Sequence, residues 1–185
     1  MDEKIKSIDH VKTRVISCKL CNLCRDRINA VPGFGNLNSK ILFVGEAPGK
    51  NEDINGLPFI GNAGKILDDA LKKGGIKRSD VYVTNVVKCR PPNNRVPEIS
   101  EVLTCFQYLK QEIQIISPNF ICILGATALQ SVLNLKEVGR YHGKVITRDD
   151  LKFFITYHPA ATIYNNKLKN VFFKEIASLI NMMKT

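Results

Sequence analysis

The chain lacks any long apolar run, since its longest, residues 120–126, is far too short to cross a bilayer. Its first ten residues, MDEKIKSIDH, lack the apolar core of a secretory signal, so we expect a cytoplasmic protein. Internal repeats, low-complexity tracts and a polybasic tail are also missing. The sequence therefore predicts one domain over residues 1–185, with an N-terminal helix and a cysteine-rich loop.

Acidic residues are in deficit: 17 Asp and Glu stand against 27 Lys and Arg, which gives a formal net charge of +10. An excess of this size favours a polyanionic partner such as DNA, RNA or an acidic membrane surface. An ordinary soluble protein with a basic surface would carry the same charge, so charge alone leaves both interpretations open.

Short apolar runs alternate with helical patterns along the chain. Runs that predict strands are residues 40–44, 81–85, 120–124 and 153–157. Helical spacing is found in residues 3–17, 63–73, 98–116, 126–133 and 171–183. This alternation predicts a mostly parallel sheet that is covered on both faces.

Polar or glycine-rich residues follow every predicted strand. They are residues 45–53, Asn85, Gly125 and His158. Because ligands bind beyond the carboxyl ends of strands in such sheets, we expect the functional site at this edge.

Two loops at this edge are candidates for binding a flat ligand. Residues 45–49 (GEAPG) lack the ending of a phosphate-binding loop, but a glycine-bounded turn lets backbone N–H groups approach a ligand. Phe59 lies in GLPFIGNAG, between a proline and two glycines. It is either a plug of the core or a stacking platform for a flat ring.

Asn85 and His158 are the polar side chains best placed for recognition and chemistry. The Asn85 amide fits the O4 and N3–H edge of uracil and mismatches cytosine, although a loop-capping role is the alternative. His158 is one of three histidines in the chain. It is suited to stabilise an anionic leaving group, or it merely caps the strand end.

The six cysteines favour metal or cluster ligation, because disulfides are rare in the cytoplasm. A C-x2-C pair, Cys18 and Cys21, is joined by the separate Cys89 and Cys105, without the second tight pair of a zinc ribbon. This spacing indicates a metal site but separates zinc from iron–sulfur only weakly. Cys24 is a competing ligand, and Cys122 is predicted to be a core thiol.

The ordered set CKLC, GEAPGKNED, GLPFIGNAG, TNVVKCRPPNNRVP and YHPAA resembles the family 4 uracil-DNA glycosylases, the iron–sulfur type of archaea and bacteria. The resemblance implies a three-layer α/β/α fold with a central four-stranded parallel sheet. It also implies a structural [4Fe–4S] cluster on Cys18, Cys21, Cys89 and Cys105.

The implied activity is hydrolysis of the N-glycosidic bond of a uracil that has flipped out of DNA, which leaves an abasic site. Phe59 would stack on uracil, Asn85 would read it, and Glu52 would exclude the methyl group of thymine. His158 would stabilise charge on O2 of the departing base. Backbone N–H groups of the turn from Gly45 to Gly49 would help to hold the base and the water.

The group that activates water is the least determined part of this assignment. The best-known family of uracil glycosylases carries Asp where this chain has Ala47, whereas family 4 proteins have Gly or Ala there. We therefore expect Glu46 to take that role, with a smaller contribution than general bases usually make.

The resemblance also implies DNA contacts outside the pocket. Ile163, or else Tyr164, would fill the space that the flipped base vacates, and Arg140 and Lys144 would contact phosphates. We expect a monomer that acts on single- or double-stranded DNA. A sliding clamp or another repair protein is a plausible further partner for an enzyme of this kind.

Two alternatives to this assignment explain fewer of the motifs. A relative that binds uracil-DNA covalently carries a nucleophilic His near residues 94–97, where this chain has none. A non-catalytic nucleic-acid-binding protein with a structural four-cysteine site would explain the charge and the cysteines. It would not explain why Phe59, Asn85 and His158 all fall at the ligand edge.

Overall fold

The structure is a computed structural model that describes residues 2–184, so the two end residues of the predicted domain, 1 and 185, lie outside it. One sheet of six strands has the order β1-β3-β2-β4-β6-β5. Its strands are β1 (Phe34–Gly35), β2 (Ile41–Gly45), β3 (Tyr82–Asn85), β4 (Phe120–Leu124), β5 (Val145–Arg148) and β6 (Leu151–Thr156).

The four inner strands, β3, β2, β4 and β6, are parallel, as predicted. The predicted total of four strands was wrong, because β1 and β5 add antiparallel edges. Neither edge strand has an apolar run: β1 contains two residues, and β5 is largely exposed. Their positions depend on pairing with β3 and β6, which hydrophobic periodicity cannot reveal.

Seven helices surround the sheet within the described residues. They are α1 (Asp2–Ile16), α2 (Lys50–Asn55), α3 (Asn62–Lys73), α4 (Ile99–Ile116), α5 (Ala126–Leu133), α6 (Val138–Tyr141) and α7 (Asn166–Lys184). Five match the predicted helices, whereas α2 and α6 are too short to show a helical period. No helix within residues 2–184 has the length and hydropathy needed to span a membrane.

Successive strand residues point into two separate cores. Leu42 and Val44 of β2 pack with α1, α4 and α5 on one face, whereas Ile41 and Phe43 pack with α3 and α7 on the other. Cys122 of β4 is fully buried in the second core, which agrees with its prediction as a core thiol. The result is the expected three-layer α/β/α architecture.

The carboxyl ends of the parallel strands meet at one edge, where Gly45 of β2 lies beside Asn85 of β3. Gly125 follows β4, and its N–H donates to Thr156 O at the end of β6. The residues that follow all four strands are therefore brought together, as the pattern predicts.

Candidate active site

A cavity of about 410 Å³ opens at this edge. This volume lies within the range of roughly 300–1,000 Å³ that is common for small-molecule sites. Most of the predicted site side chains line it, namely Glu46, Ala47, Glu52, Phe59, Asn85, His158 and Ile163. The chain also contributes Pro91, Asn94 and Arg95, which the sequence pattern did not assign to the site.

Asn85 lines this cavity and is buried, with 2% of its surface exposed. Its Oδ1 atom has no hydrogen-bond partner. A Cβ atom at Gly45 would lie 2.5 Å from that oxygen, so the close approach of β2 requires glycine there. An unpaired buried acceptor costs about 1–3 kcal/mol, and a ligand N–H would remove that cost.

Phe59 lies beside Asn85 and adopts a left-handed backbone conformation, with φ of 55°. A Cβ atom at Gly64 would lie 1.8 Å from the Phe59 carbonyl oxygen, so the loop closes only over glycine. The Phe59 ring packs on the α3–α7 core and also lines the cavity. The core-plug interpretation therefore describes this side chain, which is 6% exposed, and its stacking on a flat ring stays a prediction.

His158 follows β6 and caps a 3-10 turn, Pro159–Thr162, because its Nδ1 accepts the Ala160 N–H at 3.1 Å. Its ring centroid lies 6.1 Å from that of Phe59. Burial lowers the pKa of the imidazole to about 4, and the nearby Glu52 charge opposes this only in part. At neutral pH the ring is uncharged, and its proton resides on Nε2 because Nδ1 is an acceptor.

Glu52 holds the two binding loops together. Its carboxylate accepts the N–H groups of Gly49 at 3.1 Å, Ile60 at 2.9 Å and Gly61 at 2.7 Å. Its neighbour Asp53 accepts the N–H of Ile28 at 3.0 Å, which connects α2 to the cysteine-rich loop. The two adjacent carboxylates thus connect α2 to both binding loops and to the cysteine-rich loop.

Glu46 lines the cavity and is only half-buried. Its backbone carbonyl accepts the Val87 N–H at 3.2 Å, while Gly45 O accepts the Val86 N–H at 2.9 Å. The GEAPG turn is therefore anchored to the chain that leaves β3.

The four cysteines expected to act as ligands lie close enough to influence one another electrostatically. Cys89 and Cys105 are buried, whereas Cys18 and Cys21 are half-buried. Burial raises the pKa of the Cys21 and Cys89 thiols, and it raises the pKa of Cys105 to about 12.

Two basic residues supply N–H groups to these sulfur atoms. Arg27 donates to Cys89 Sγ at 2.9 Å and to the carbonyl oxygen of Cys18 at 2.9 Å. The backbone N–H of Lys88 donates to Cys105 Sγ at 3.3 Å. Sequence reasoning missed both residues, although each lies within three positions of a cysteine.

Within residues 2–184, no three His, Cys, Asp or Glu side chains converge on a point that would hold a single metal ion. A four-iron cluster has a different requirement, because each thiolate binds its own iron atom. Sulfur atoms that lie near one another and accept N–H hydrogen bonds fit such a group. Cys24 also lies near this set, where it affects the pKa of Cys21.

The residues expected to contact DNA lie outside the cavity or at its mouth. Arg140, on α6, and Lys144, three residues after the end of that helix, are exposed, and Lys144 Nζ donates to the Arg140 carbonyl oxygen at 3.0 Å. Ile163 is 37% exposed and lines the cavity, whereas Tyr164 is 98% exposed and does not. Of the two wedge candidates, only Ile163 therefore borders the space that a flipped base would enter.

Comparisons with known proteins agree with this geometry. A model of the uracil DNA glycosylase superfamily matches residues 32–180. A type-4 uracil-DNA glycosylase from Archaeoglobus fulgidus is 42% identical, over 95% of this chain and 94% of its own. Type-4 enzymes from Sulfurisphaera tokodaii and Thermotoga maritima are 44% and 42% identical, over 94% of this chain in each case and 84% and 93% of their own. These matches confirm the resemblance, and the chain belongs to the type-4 family of the uracil DNA glycosylase superfamily.

Proposed function

We propose that this protein is a monofunctional DNA repair enzyme that excises uracil from DNA and leaves free uracil and an abasic site. The observation that carries the proposal is the unpaired Oδ1 of Asn85, buried in a cavity that the Phe59 ring and a neutral His158 also line. A planar base with an N–H beside a carbonyl oxygen satisfies all three groups at once. Membership of the family supports DNA as the source of that base.

Asn85 selects uracil over cytosine by hydrogen-bond complementarity. Its Oδ1 accepts uracil N3–H, and its amide nitrogen donates to O4. Cytosine presents an unprotonated N3 and an amino group at the same positions, so the pairing of donors and acceptors fails. A site built around a buried hydrogen bond rejects the mismatched base strongly, because the unpaired group is left without water.

Phe59 provides the stacking face, and the loop around it sets the space near C5. Glu52 accepts three backbone N–H hydrogen bonds from this loop and the GEAPG turn. It therefore excludes thymine indirectly, because it holds this part of the cavity wall in place. Its carboxylate oxygens are already engaged with the backbone. The thymine methyl group then meets a wall that cannot retreat without loss of those hydrogen bonds.

His158 stabilises the departing base as a neutral hydrogen-bond donor. With Nδ1 engaged by Ala160, Nε2–H is the group available to O2 of uracil, on which negative charge grows as the glycosidic bond breaks. A neutral donor suits this task because its low pKa keeps the site unchanged over the physiological pH range.

Water reaches C1′ of the sugar from the side of the GEAPG turn. Ala47 carries no group that accepts a proton, and Glu46 is the adjacent carboxylate on the cavity wall. We assign to Glu46 the orientation of the water and acceptance of its proton. Expulsion of the uracil anion supplies most of the acceleration, so this contribution is smaller than that of Asn85 or His158.

Cys18, Cys21, Cys89 and Cys105 are the proposed ligands of a [4Fe–4S] cluster, which would supply structural crosslinking rather than chemistry. Their mutual proximity, and the N–H groups that Arg27 and Lys88 donate to Cys89 and Cys105, support this set. Because burial raises the thiol pKa of three of them, cluster binding must displace protons. The cluster would join the loop after α1 to β3 and α4.

Contacts with DNA outside the cavity are assigned to Arg140, Lys144 and Ile163. The two cations are exposed on α6 and on the turn that follows it, where they would meet phosphates. Ile163 lies at the mouth of the cavity, where an apolar side chain would replace the flipped base in the stack.

The test is strand cleavage by alkali after incubation with an oligonucleotide that carries one uracil. Matched oligonucleotides with cytosine or thymine at the same position serve as controls. We expect cleavage of the uracil strand alone, by protein whose visible absorption shows a loaded cluster. Binding of all three oligonucleotides without cleavage would instead favour the non-catalytic DNA-binding protein.

A further inference from the structure

Lys88 is the most deeply buried basic residue among those the structure describes, with 1% of its surface exposed. Its ammonium group meets three acceptors: Glu112 Oε2 at 2.6 Å, the Asn85 carbonyl oxygen at 2.9 Å and the Thr84 hydroxyl. Three acceptors match the three hydrogens of an ammonium group, so the charge is fully hydrogen-bonded.

Glu112, on α4, is also fully buried and equally well paired. Its Oε1 accepts the Gly33 N–H at 2.8 Å, and its Oε2 accepts the Thr84 hydroxyl at 2.7 Å as well as Lys88. Removing two charges from water costs several kcal/mol per ion, and apolar replacements of such pairs are often as stable. Stability alone is therefore a weak reason for this pair to exist.

The position of Lys88 in the chain gives a better reason. Its backbone N–H donates to Cys105 Sγ, and the next residue is Cys89. Its side chain turns back by three residues to the carbonyl of Asn85. One residue therefore connects the cysteine cluster to the backbone of the residue that carries the unpaired amide oxygen.

We infer that the Lys88–Glu112 pair is a positioning device that holds Asn85 in the orientation required for base recognition. The inference rests on the proposed function of Asn85. The ammonium group fixes the Asn85 carbonyl from behind, while α4 and the cysteines fix Lys88. The side-chain amide then keeps its place on the cavity wall, although its Oδ1 atom has no hydrogen bond of its own.

The test is a neutral pair, Lys88→Met with Glu112→Gln, in the full-length protein. The glutamine retains an oxygen for Gly33 N–H and gains an N–H for the Thr84 hydroxyl. Once the ion pair is removed, the Asn85 carbonyl oxygen is therefore the acceptor of Lys88 that is left without a donor. Leu109→Val, on the same helix and fully buried, is the matched control for destabilisation, because an apolar side chain forms no hydrogen bond with Asn85.

We expect the neutral pair to retain the iron content and visible absorption of the wild type. Single-turnover excision should fall by roughly 10²-fold, since a misplaced group about 1 Å from its productive position costs that much. KM for uracil-DNA should change by less than about threefold, and inhibition by free uracil should weaken. Leu109→Val should retain the wild-type rate at temperatures below its own unfolding.

Wild-type excision by the neutral pair, or a loss no greater than in an equally destabilised Leu109→Val, would overturn the inference. A crystal structure of the neutral pair gives a readout that does not depend on activity: the Asn85 amide should move relative to the Phe59 ring. If the wild type itself fails to release uracil, the proposed function is wrong. A displaced amide would then still support the positioning role.

Discussion

The candidate active-site cavity and the four proposed cluster ligands meet at opposite ends of one buried segment, residues 85–89, and their polar atoms differ in hydrogen bonding. In the cavity, Asn85 Oδ1 is left without a partner and His158 is kept neutral. Around the cysteines, N–H groups already meet the sulfur atoms of Cys89 and Cys105.

This difference distinguishes a site for a transient ligand from a site for a resident group. A cavity that must bind and release a base benefits from an acceptor that only the correct base satisfies. A cluster that stays bound benefits from hydrogen bonds that hold its ligands in place. Four predictions test this contrast, beginning with the largest expected effect.

Cys105→Ala should remove the cluster and destabilise the fold, because one of four ligands is lost from a buried site. We expect a loss of about 4 kcal/mol or more in the free energy of unfolding. Iron content and thermal unfolding measure the outcome. Cys122→Ala, a core thiol outside the cluster, is the control and should retain its iron. Equal iron in the two variants would remove Cys105 from the ligand set.

Asn85→Ala should reduce uracil excision by roughly 10³-fold while the visible absorption of the cluster stays unchanged. The change deletes the recognition amide but leaves residues 86–89 intact. Single-turnover assays on uracil-DNA measure it, with Asn181→Ala on the exposed face of α7 as control. A near-normal rate would show that the cavity recognises the base by shape alone.

His158→Gln should change how stability depends on pH. The folded state holds the imidazole pKa at about 4, below the usual 6.5, so the unfolded chain binds protons more readily between these values. Wild-type stability should therefore fall as pH decreases from 6.5 to about 4, and the variant should lose less. Urea unfolding across this range measures it, with the exposed His10→Gln as control. Parallel curves for wild type and His158→Gln would show that the pH dependence of stability in this range arises from a group other than His158.

Lys144→Ala and Arg140→Ala should have the smallest effects, because each removes one exposed charge. Affinity for uracil-DNA should weaken modestly, and the slope of log affinity against log salt should decrease by about 1 for each phosphate that is no longer neutralised. Lys72→Ala, on the exposed part of α3, is the control. An unchanged slope in both test variants would exclude these cations from the DNA interface.

The sequence predicted the inner sheet and most of the cavity because both follow from local patterns. Apolar runs marked β2, β3, β4 and β6, and the rule for parallel sheets brought Phe59, Asn85 and His158 to one edge. The edge strand β5 and the short helix α2 were missed because pairing and capping contacts stabilise them. For the same reason the sequence could not show that the Glu52 carboxylate joins two loops, because it does so through hydrogen bonds from their backbone N–H groups.

Lys88 shows the limit of sequence reasoning most clearly. A lysine beside a cysteine in a basic chain suggests a solvated charge, and nothing local predicts that Glu112, 24 residues later, meets it in the interior. The tautomer of His158 is equally hidden, because it depends on the backbone N–H of Ala160. Long-range polar pairing is invisible to periodicity.

The left-handed backbone at Phe59 limits how this enzyme can be redesigned. Residues branched at Cβ are disfavoured at positive φ, so valine and isoleucine should be poorly tolerated even though they would open space above the base. Gly64 cannot relax the loop in return, since any side chain there meets the Phe59 carbonyl. Variants with altered base preference should therefore arise at Asn85 or on the wall near Glu52 more readily than at position 59.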